Sequence, residues 1–235
     1  MTFTVVARCE HSGRLGVAIA TYSLAVGGYC PFFVRARAVL STQAFANPAL
    51  GPLACETLGA GSTPAQVLAL LRERDAGFDY RQVVMVDASG QVAAHTGSRC
   101  RQWAGHEAGE GWVVFGNVLA GPPVLEAMAS AMNADPAGPL DERLLRCIEA
   151  GRDAGGQRTE AGEHLAERSA ALIVRGADIV EDVDLRVDVS EHAIEDLRRA
   201  HSAYAPYLPY YHLRARDPAN TPAQDVWARE HLGDA

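Results

Sequence analysis

Apolar residues alternate along Phe3 to Arg8, "HSGR" makes a turn, and "LGVAIATY" (Leu15 to Tyr22) continues the apolar run. That pattern predicts an opening β-hairpin. A third apolar run covers Ala38 to Thr42 and is bounded by "FANPALGP", where Asn47-Pro48 and Gly51-Pro52 punctuate a loop. The clearest helix spans Thr63 to Gly77. Thr63 and Gln66 have capping-box spacing, Pro64 takes the first turn, and Val67, Leu68 and Leu71 form the inward stripe. "QVVMVD" and "QVAAHTG" flank "ASG" as a second hairpin, and "GWVVFGNVLAG" is a strand running into a turn. Two amphipathic helices follow, one through Val124, Leu125, Met128 and Met132, the other through Leu140, Leu144, Leu145 and Ile148. Residues 151 to 167 show no period and read as a mobile loop; "SAALIV" and "VDLRVDV" return to strand. Ser190 caps a last helix to about His201.

Hairpins outnumber β-α-β crossovers, which predicts an α+β protein with antiparallel or mixed sheets and segregated helices. One domain is expected over 1–201. Residues 202–235 are expected to form a C-terminal arm, because Ser202 to Pro218 hold four tyrosines and three prolines. Such an arm predicts an extended segment packed on its own domain or on a partner subunit, and with it a homodimer.

Composition narrows the chemistry. The 235 residues carry a net charge of −8, and all 21 basic residues are arginine. A nucleic-acid partner is unexpected without a basic face. The absence of lysine removes a P-loop lysine and every lysine Schiff base. Cys9, Cys30, Cys55, Cys100 and Cys147 stand singly, which suits a reducing compartment. The N-terminus lacks signal-peptide character and no apolar stretch reaches a membrane span, so a cytoplasmic protein with no membrane partner is expected. "HEAGE" at His106 departs from a zinc-binding helix at its last residue, and the eight histidines are scattered. No metal or organic cofactor is expected.

Position two is informative. A small residue there lets an aminopeptidase remove Met1 and expose Thr2, a residue that then carries nucleophile and base together. Its α-amine, with a pKa near ~8, can accept the hydroxyl proton directly or through one water. The alternative is an ordinary first-strand threonine. Cys9, Cys30 and Cys100 are nucleophiles in principle, although a reactive thiolate needs a cationic neighbour.

The blocks "MTFTVVAR…GxLGVAIAT", "STQAFANPALGP", "AAHTGSRCRQWAGHEAGEGWVVFGNVLAG" and "AALIVRG…DLRVD" resemble the bacterial family of domain of unknown function 1028, in the same order from Met1 to about Arg199. That family is assigned to the N-terminal-nucleophile (Ntn) hydrolases. The resemblance implies a four-layer αββα sandwich and cleavage of an amide bond in a small molecule. It places the nucleophile on Thr2, with Thr4 on the same strand face as the fallback. Asn117 would hold the oxyanion, where one donor is worth roughly 10²–10³ in rate. Gln43, Asn47, Thr96, Gly97 and Gly116 match the family's polar and glycine positions and are candidate substrate contacts; turn-building is the competing role for Asn47 and the glycines.

One departure stands out. The family's "GGD.RG.QSAAL" is here "GGQRTEAGEHLAERSAAL", with Gln157 in place of an aspartate and Glu167-Arg168 in the glutamine region. Asp184, Arg186 and Asp188 share a strand face and predict an ion-pair ladder. Arg8, Arg35 and Arg37 are candidates to bind a substrate carboxylate. The alternative function is a non-catalytic ligand-binding or oligomeric scaffold with the same fold, and a self-compartmentalising peptidase is a third.

Overall fold

A computed structural model describes residues 1–233. The first hairpin pairs β1 (Thr2–Arg8) with β2 (Leu15–Thr21), and its register sets Thr2 opposite Thr21. β3 (Pro31–Val34), β4 (Ala38–Ala44), β5 (Arg81–Asp87) and β6 (Val92–Thr96) form a four-stranded antiparallel sheet in that order. β7 (Ala104–Gly109), β8 (Trp112–Asn117), β11 (Ser169–Arg175) and β12 (Val183–Val187) join the first hairpin. Their sheet has the order β12-β11-β2-β1-β8-β7, every pair antiparallel.

Three apolar layers follow from the strand phases. Phe3, Val5 and Ala7 of β1 point outward, onto Val124, Leu125, Met128 and Met132 of α3 (Pro122–Ala134) and Leu144, Leu145 and Ile148 of α4 (Leu140–Asp153). Ile194 and Leu197 of α5 (Ala193–Tyr204) complete that cluster. On the smaller sheet, Leu40, Val83 and Met85 meet Leu50, Ala54 and Leu58 of α1 (Leu50–Gly59) and Val67 and Leu71 of α2 (Pro64–Arg74). The opposite strand phases, Val6, Val17, Val113 and Phe115 on one sheet and Val39, Val84 and Val86 on the other, form a third cluster that joins the sheets. At ~25 cal/mol per Å² of apolar surface, such alternation is the main force holding each face to its neighbour. The mixed helix and antiparallel-sheet class expected from the hairpins is present.

The local signals of α2 are realised. Thr63 Oγ1 accepts from Gln66 N at 3.3 Å while Gln66 Oε1 accepts from Thr63 N at 2.9 Å. Other expectations need correction. The stretch read as a loop at Gly51-Pro52 opens α1, because a first-turn proline loses no intrahelical hydrogen bond. The last helix starts at Ala193 rather than directly after Ser190, whose hydroxyl instead donates to Asp196 Oδ2 at 2.6 Å and accepts from His192 N. Residues 151 to 167 are partly ordered: α4 runs on to Asp153, and β9 (Gln157–Arg158) pairs with β10 (His164–Leu165).

The C-terminal arm is helical, not extended. Its helices are α6 (Leu208–Arg216) and α7 (Gln224–Leu232), and Pro206 and Pro209 sit in first turns where the missing N–H is harmless. Trp227 packs against Tyr207 and Tyr210, Leu208 reaches the main core cluster, and Arg216 pairs with Asp178 at 2.5 Å. No helix of the described residues is long and apolar enough to cross a membrane.

Candidate functional site

The inter-sheet layer is valine-rich through its middle and turns polar at one end. On the larger sheet the inward phases finish in Thr2, Thr4, Thr21 and Asn117; on the smaller one, Gln43, Gln82 and Thr96 lie side by side across β4, β5 and β6. All but Thr96 are buried. Burying amides and hydroxyls is costly unless each is hydrogen-bonded, and these bond to one another.

Fixed backbone carbonyls set the direction of that network. Gln82 Nε2 donates to Gly116 O at 2.8 Å and Gly105 O at 3.2 Å, with Thr96 Oγ1 also within 3.1 Å as a shared acceptor. Carbonyls only accept, so Gln82 Oε1 must face the other way. There it accepts from Asn117 Nδ2 at 2.9 Å and Gln43 Nε2 at 3.1 Å. Gln43 Oε1 in turn accepts from Thr4 Oγ1 at 2.6 Å. Asn117 Oδ1 is therefore left as an acceptor at the open end, and the Met1 amine donates to it at 2.6 Å. Beyond Thr96, His106 Nδ1 lies 2.9 Å from the Thr96 hydroxyl. Burial holds the His106 ring below the usual histidine pKa.

The terminal amine sits at the mouth of this layer. Burial first, and the positive charge of Arg101 second, bring its pKa down from 8.0 to about 6. Thr2 is 6% exposed, lies directly opposite Asn117 in the ladder, and its Oγ1 is 3.1 Å from Thr21 Oγ1. The Thr21 hydroxyl accepts from Ser23 N at 3.2 Å and donates to the Met1 carbonyl. A cavity of about 170 Å³ opens beside the amine, lined by Met1, Ser23, Ala44, Phe45, Arg101 and Asn117. A second cavity, of about 480 Å³, shares Met1 and Arg101 and is walled by Val118 and the turn between β9 and β10. Two non-glycine residues flank the site with left-handed backbone: Ala44 (φ 74°) after Gln43, and Val118 (φ 56°) after Asn117. Such conformations are disfavoured for residues with a Cβ and recur at binding sites.

The sequence-derived candidates divide into two groups. Thr2, Thr4, Gln43, Thr96 and Asn117 come together in the polar layer. Thr4 is fully buried with its proton given to Gln43. Asn117 presents an oxygen to the amine, whereas its Nδ2, the expected oxyanion donor, is turned to Gln82. Gly116 lies between Phe3 and Gly105 in the ladder, where an added Cβ would meet Thr2 O at 2.8 Å. Gly97 gives its N–H to Arg81 O at 3.0 Å and builds a turn against the Asp79 backbone. Asn47 Oδ1 accepts from Ala49 N at 3.2 Å ahead of α1 and does not line either cavity.

Arg35 is bound to Asp182, Arg37 to Gly59 O, and Arg8 lies at the far end of β1. Asp184 pairs with Arg186 and Arg175, so that part of the expected ladder is present. Gln157 Oε1 accepts from Tyr22 N at 3.1 Å and its Nε2 donates to Glu167 at 3.0 Å, a buried join beneath the β9–β10 turn. Burial pushes the Cys30 thiol up to about 12 and raises Cys100, so neither supplies a thiolate. Among the described residues, no three His, Cys, Asp or Glu side chains form a set that could hold a metal ion.

Sequence reasoning passed over Thr21, Gln82, Phe45 and Arg101. The hairpin register carried a signal for Thr21, and the inward phase of β5 one for Gln82. Arg101 lies in an aperiodic segment that carries none.

Two antiparallel sheets that meet in a polar, amine-bearing cleft define a mixed helix-and-sheet protein whose site is built from amides and hydroxyls. The chain belongs to the family described as "Family of unknown function (DUF1028)", which matches residues 2–197. It is similar to the crystal structure of a Silicibacter pomeroyi protein of the same family, at 28% identity and a TM-score of 0.77, over 87% of this chain and 86% of that one. Anbu, an ancestral beta-subunit from Yersinia bercovieri, aligns at 11% identity and a TM-score of 0.41 over 86% of this chain and 94% of that one. The comparison with curated proteins found no match.

Proposed function

We propose that this protein is an Ntn-type amidohydrolase acting on a small amide, with Thr2, freed by removal of Met1, as nucleophile. Helices on the outer face of each sheet and an apolar layer between the sheets support the αββα reading. The observation that carries the function is the placing of the Thr2 hydroxyl and backbone at the open, polar end of that layer, opposite Asn117 and beside Thr21, with only Met1 ahead of it. Met1 lines both cavities, so its removal enlarges the space in front of Thr2.

In this mechanism Thr2 Oγ attacks the amide carbonyl and its proton passes to the Thr2 α-amine. The tetrahedral intermediate collapses, the amine returns the proton to the leaving nitrogen, and the C–N bond breaks to leave an ester on Thr2 Oγ. Water, deprotonated by the same amine, then hydrolyses that ester. Asn117, opposite Thr2 in the ladder, offers to the freed Thr2 amine the Oδ1 acceptor that the Met1 amine now uses. The Thr21 hydroxyl, released from the Met1 carbonyl and oriented by Ser23 N, donates to the substrate oxygen. No step needs a metal or cofactor.

The test is Thr2→Ala. Hydrolysis of N-acetyl amino acids and their carboxamides, followed by acetate or ammonia release, is expected to vanish while the thermal melt stays unchanged; retained turnover would remove Thr2 from the mechanism.

A further inference from the structure

We propose that Arg101 and Phe45 form the specificity end of this cleft and select amides bearing a carboxylate beside an apolar group, of the N-acyl amino acid type. The inference rests on the amidohydrolase reading for its chemistry, although its binding claim is testable without turnover. Among the described residues, Arg101 is the sole charged side chain lining the cavity beside the amine. Among the described residues its guanidinium has no hydrogen-bond or ion-pair partner, whereas Arg35, Arg81, Arg175, Arg186, Arg198 and Arg216 are all bound to carboxylates. Glu160 and Glu163 line the second cavity, and neither comes within ion-pair distance of Arg101.

The guanidinium, on an exposed side chain, rests against an aromatic ring without being neutralised. It lies 5.5 Å from the centroid of the Phe45 ring, and that ring stands edge-on to Tyr80 at 5.6 Å. Arg101 O accepts from Val118 N at 3.2 Å, which ties the arginine's backbone to the residue after Asn117. Phe45 remains 45% exposed, beyond the left-handed turn at Ala44 that ends β4. A flat, unpaired fork beside an exposed aromatic face matches a carboxylate bidentately and offers an apolar surface next to it. Met1, whose removal would expose the Thr2 amine, lines the same cavity as Arg101 and Phe45, so the anion-binding and reacting ends share one cleft.

The experiment compares N-acetyl-L-leucine with N-acetyl-L-leucinamide, of equal shape and different charge, for binding by calorimetry and for turnover. Wild-type protein is expected to favour the carboxylate by about 100-fold, the value of a charge-assisted bidentate pair. Arg101→Gln should abolish that preference, and Arg101→Glu should reject the carboxylate. Phe45→Ala should weaken N-acetyl-L-leucine more than N-acetylglycine. Equal affinity for the two compounds in wild type, binding of neither, or a preference that survives Arg101→Glu would overturn the assignment. Selective binding of the carboxylate without turnover would uphold it and remove the amidohydrolase reading instead.

Discussion

Gln82 fixes the polarity of the cleft, because two backbone carbonyls that only accept hold its nitrogen. Gln82→Leu would leave Asn117 Nδ2 and Gln43 Nε2 buried without their acceptor. Denaturant titration is expected to show a loss of about 1–3 kcal/mol, and kcat to fall because Asn117 is free to turn; unchanged stability would mean the network is not held through Gln82. The amine carries a second prediction. Burial and the charge of Arg101 lower the pKa of the Met1 amine, and the Thr2 amine exposed in the same cleft is expected to shift in the same direction. The kcat/KM profile should rise with pH and level off below the ordinary terminal-amine pKa of ~8. Arg101→Gln, measured on the carboxamide, should move that limb to higher pH, and a limb that stays put would separate the arginine from the base. Much of this was readable: Phe3 to Arg8 against Leu15 to Tyr22 already sets Thr2 opposite Thr21. Arg101 was not, since neither period nor motif marks a loop arginine whose importance lies in what it does not touch.

Among the elements, β7 shows why some strands are silent in sequence. Its "AGHEAG" is glycine-rich and half polar because it is an edge strand, and such edges carry little apolar alternation. Gly97 belongs to the turn leaving β6. A Cβ there would run into the backbone of Asp79 rather than a movable side chain, so Gly97→Ala is expected to destabilise by about 1–3 kcal/mol. Its loss of activity should follow its loss of folded protein; a fully folded but inactive variant would restore Gly97 to the substrate contacts. α5 is clamped to α4 by Arg198, which reaches Glu142 at 2.6 Å and Glu149 at 2.7 Å, and by His201 on Asp141 at 2.8 Å. Burial alone would raise the Asp141 pKa, and the bond and charge of His201 outweigh it, leaving the carboxyl below its usual value. The stability this pair contributes is thus complete above the unfolded carboxylate pKa and disappears as pH falls through the lowered one. Asp141→Asn should lower stability at neutral pH and flatten that acid-side loss.

For the whole molecule, a fold legible as hairpins and amphipathic helices met its surprise in the arm. Proline and tyrosine density reads as extended chain, yet each proline of the first arm helix and the turn before it falls where a helix needs no N–H. The aromatic residues of α6 and α7 pack on one another, and Leu208 seats them on the domain. Deleting residues 205–235 is expected to lower Tm by several degrees, since Leu208 leaves the core cluster; an unaltered melt would return the arm to the partner-binding role expected from its composition. A homodimer remains a proposal, to be checked by light scattering on the full chain.

Covalent mapping shows whether Thr2 is the nucleophile of an amide-cleaving site. Natively expressed, untagged protein is treated with an electrophilic β-lactone and its N-terminal peptide sequenced by mass spectrometry. The expected result is a peptide that begins at Thr2 and carries one acyl group on that residue, absent in Thr2→Ala. A peptide that retains Met1, or a free Thr2 that stays unmodified, would contradict it.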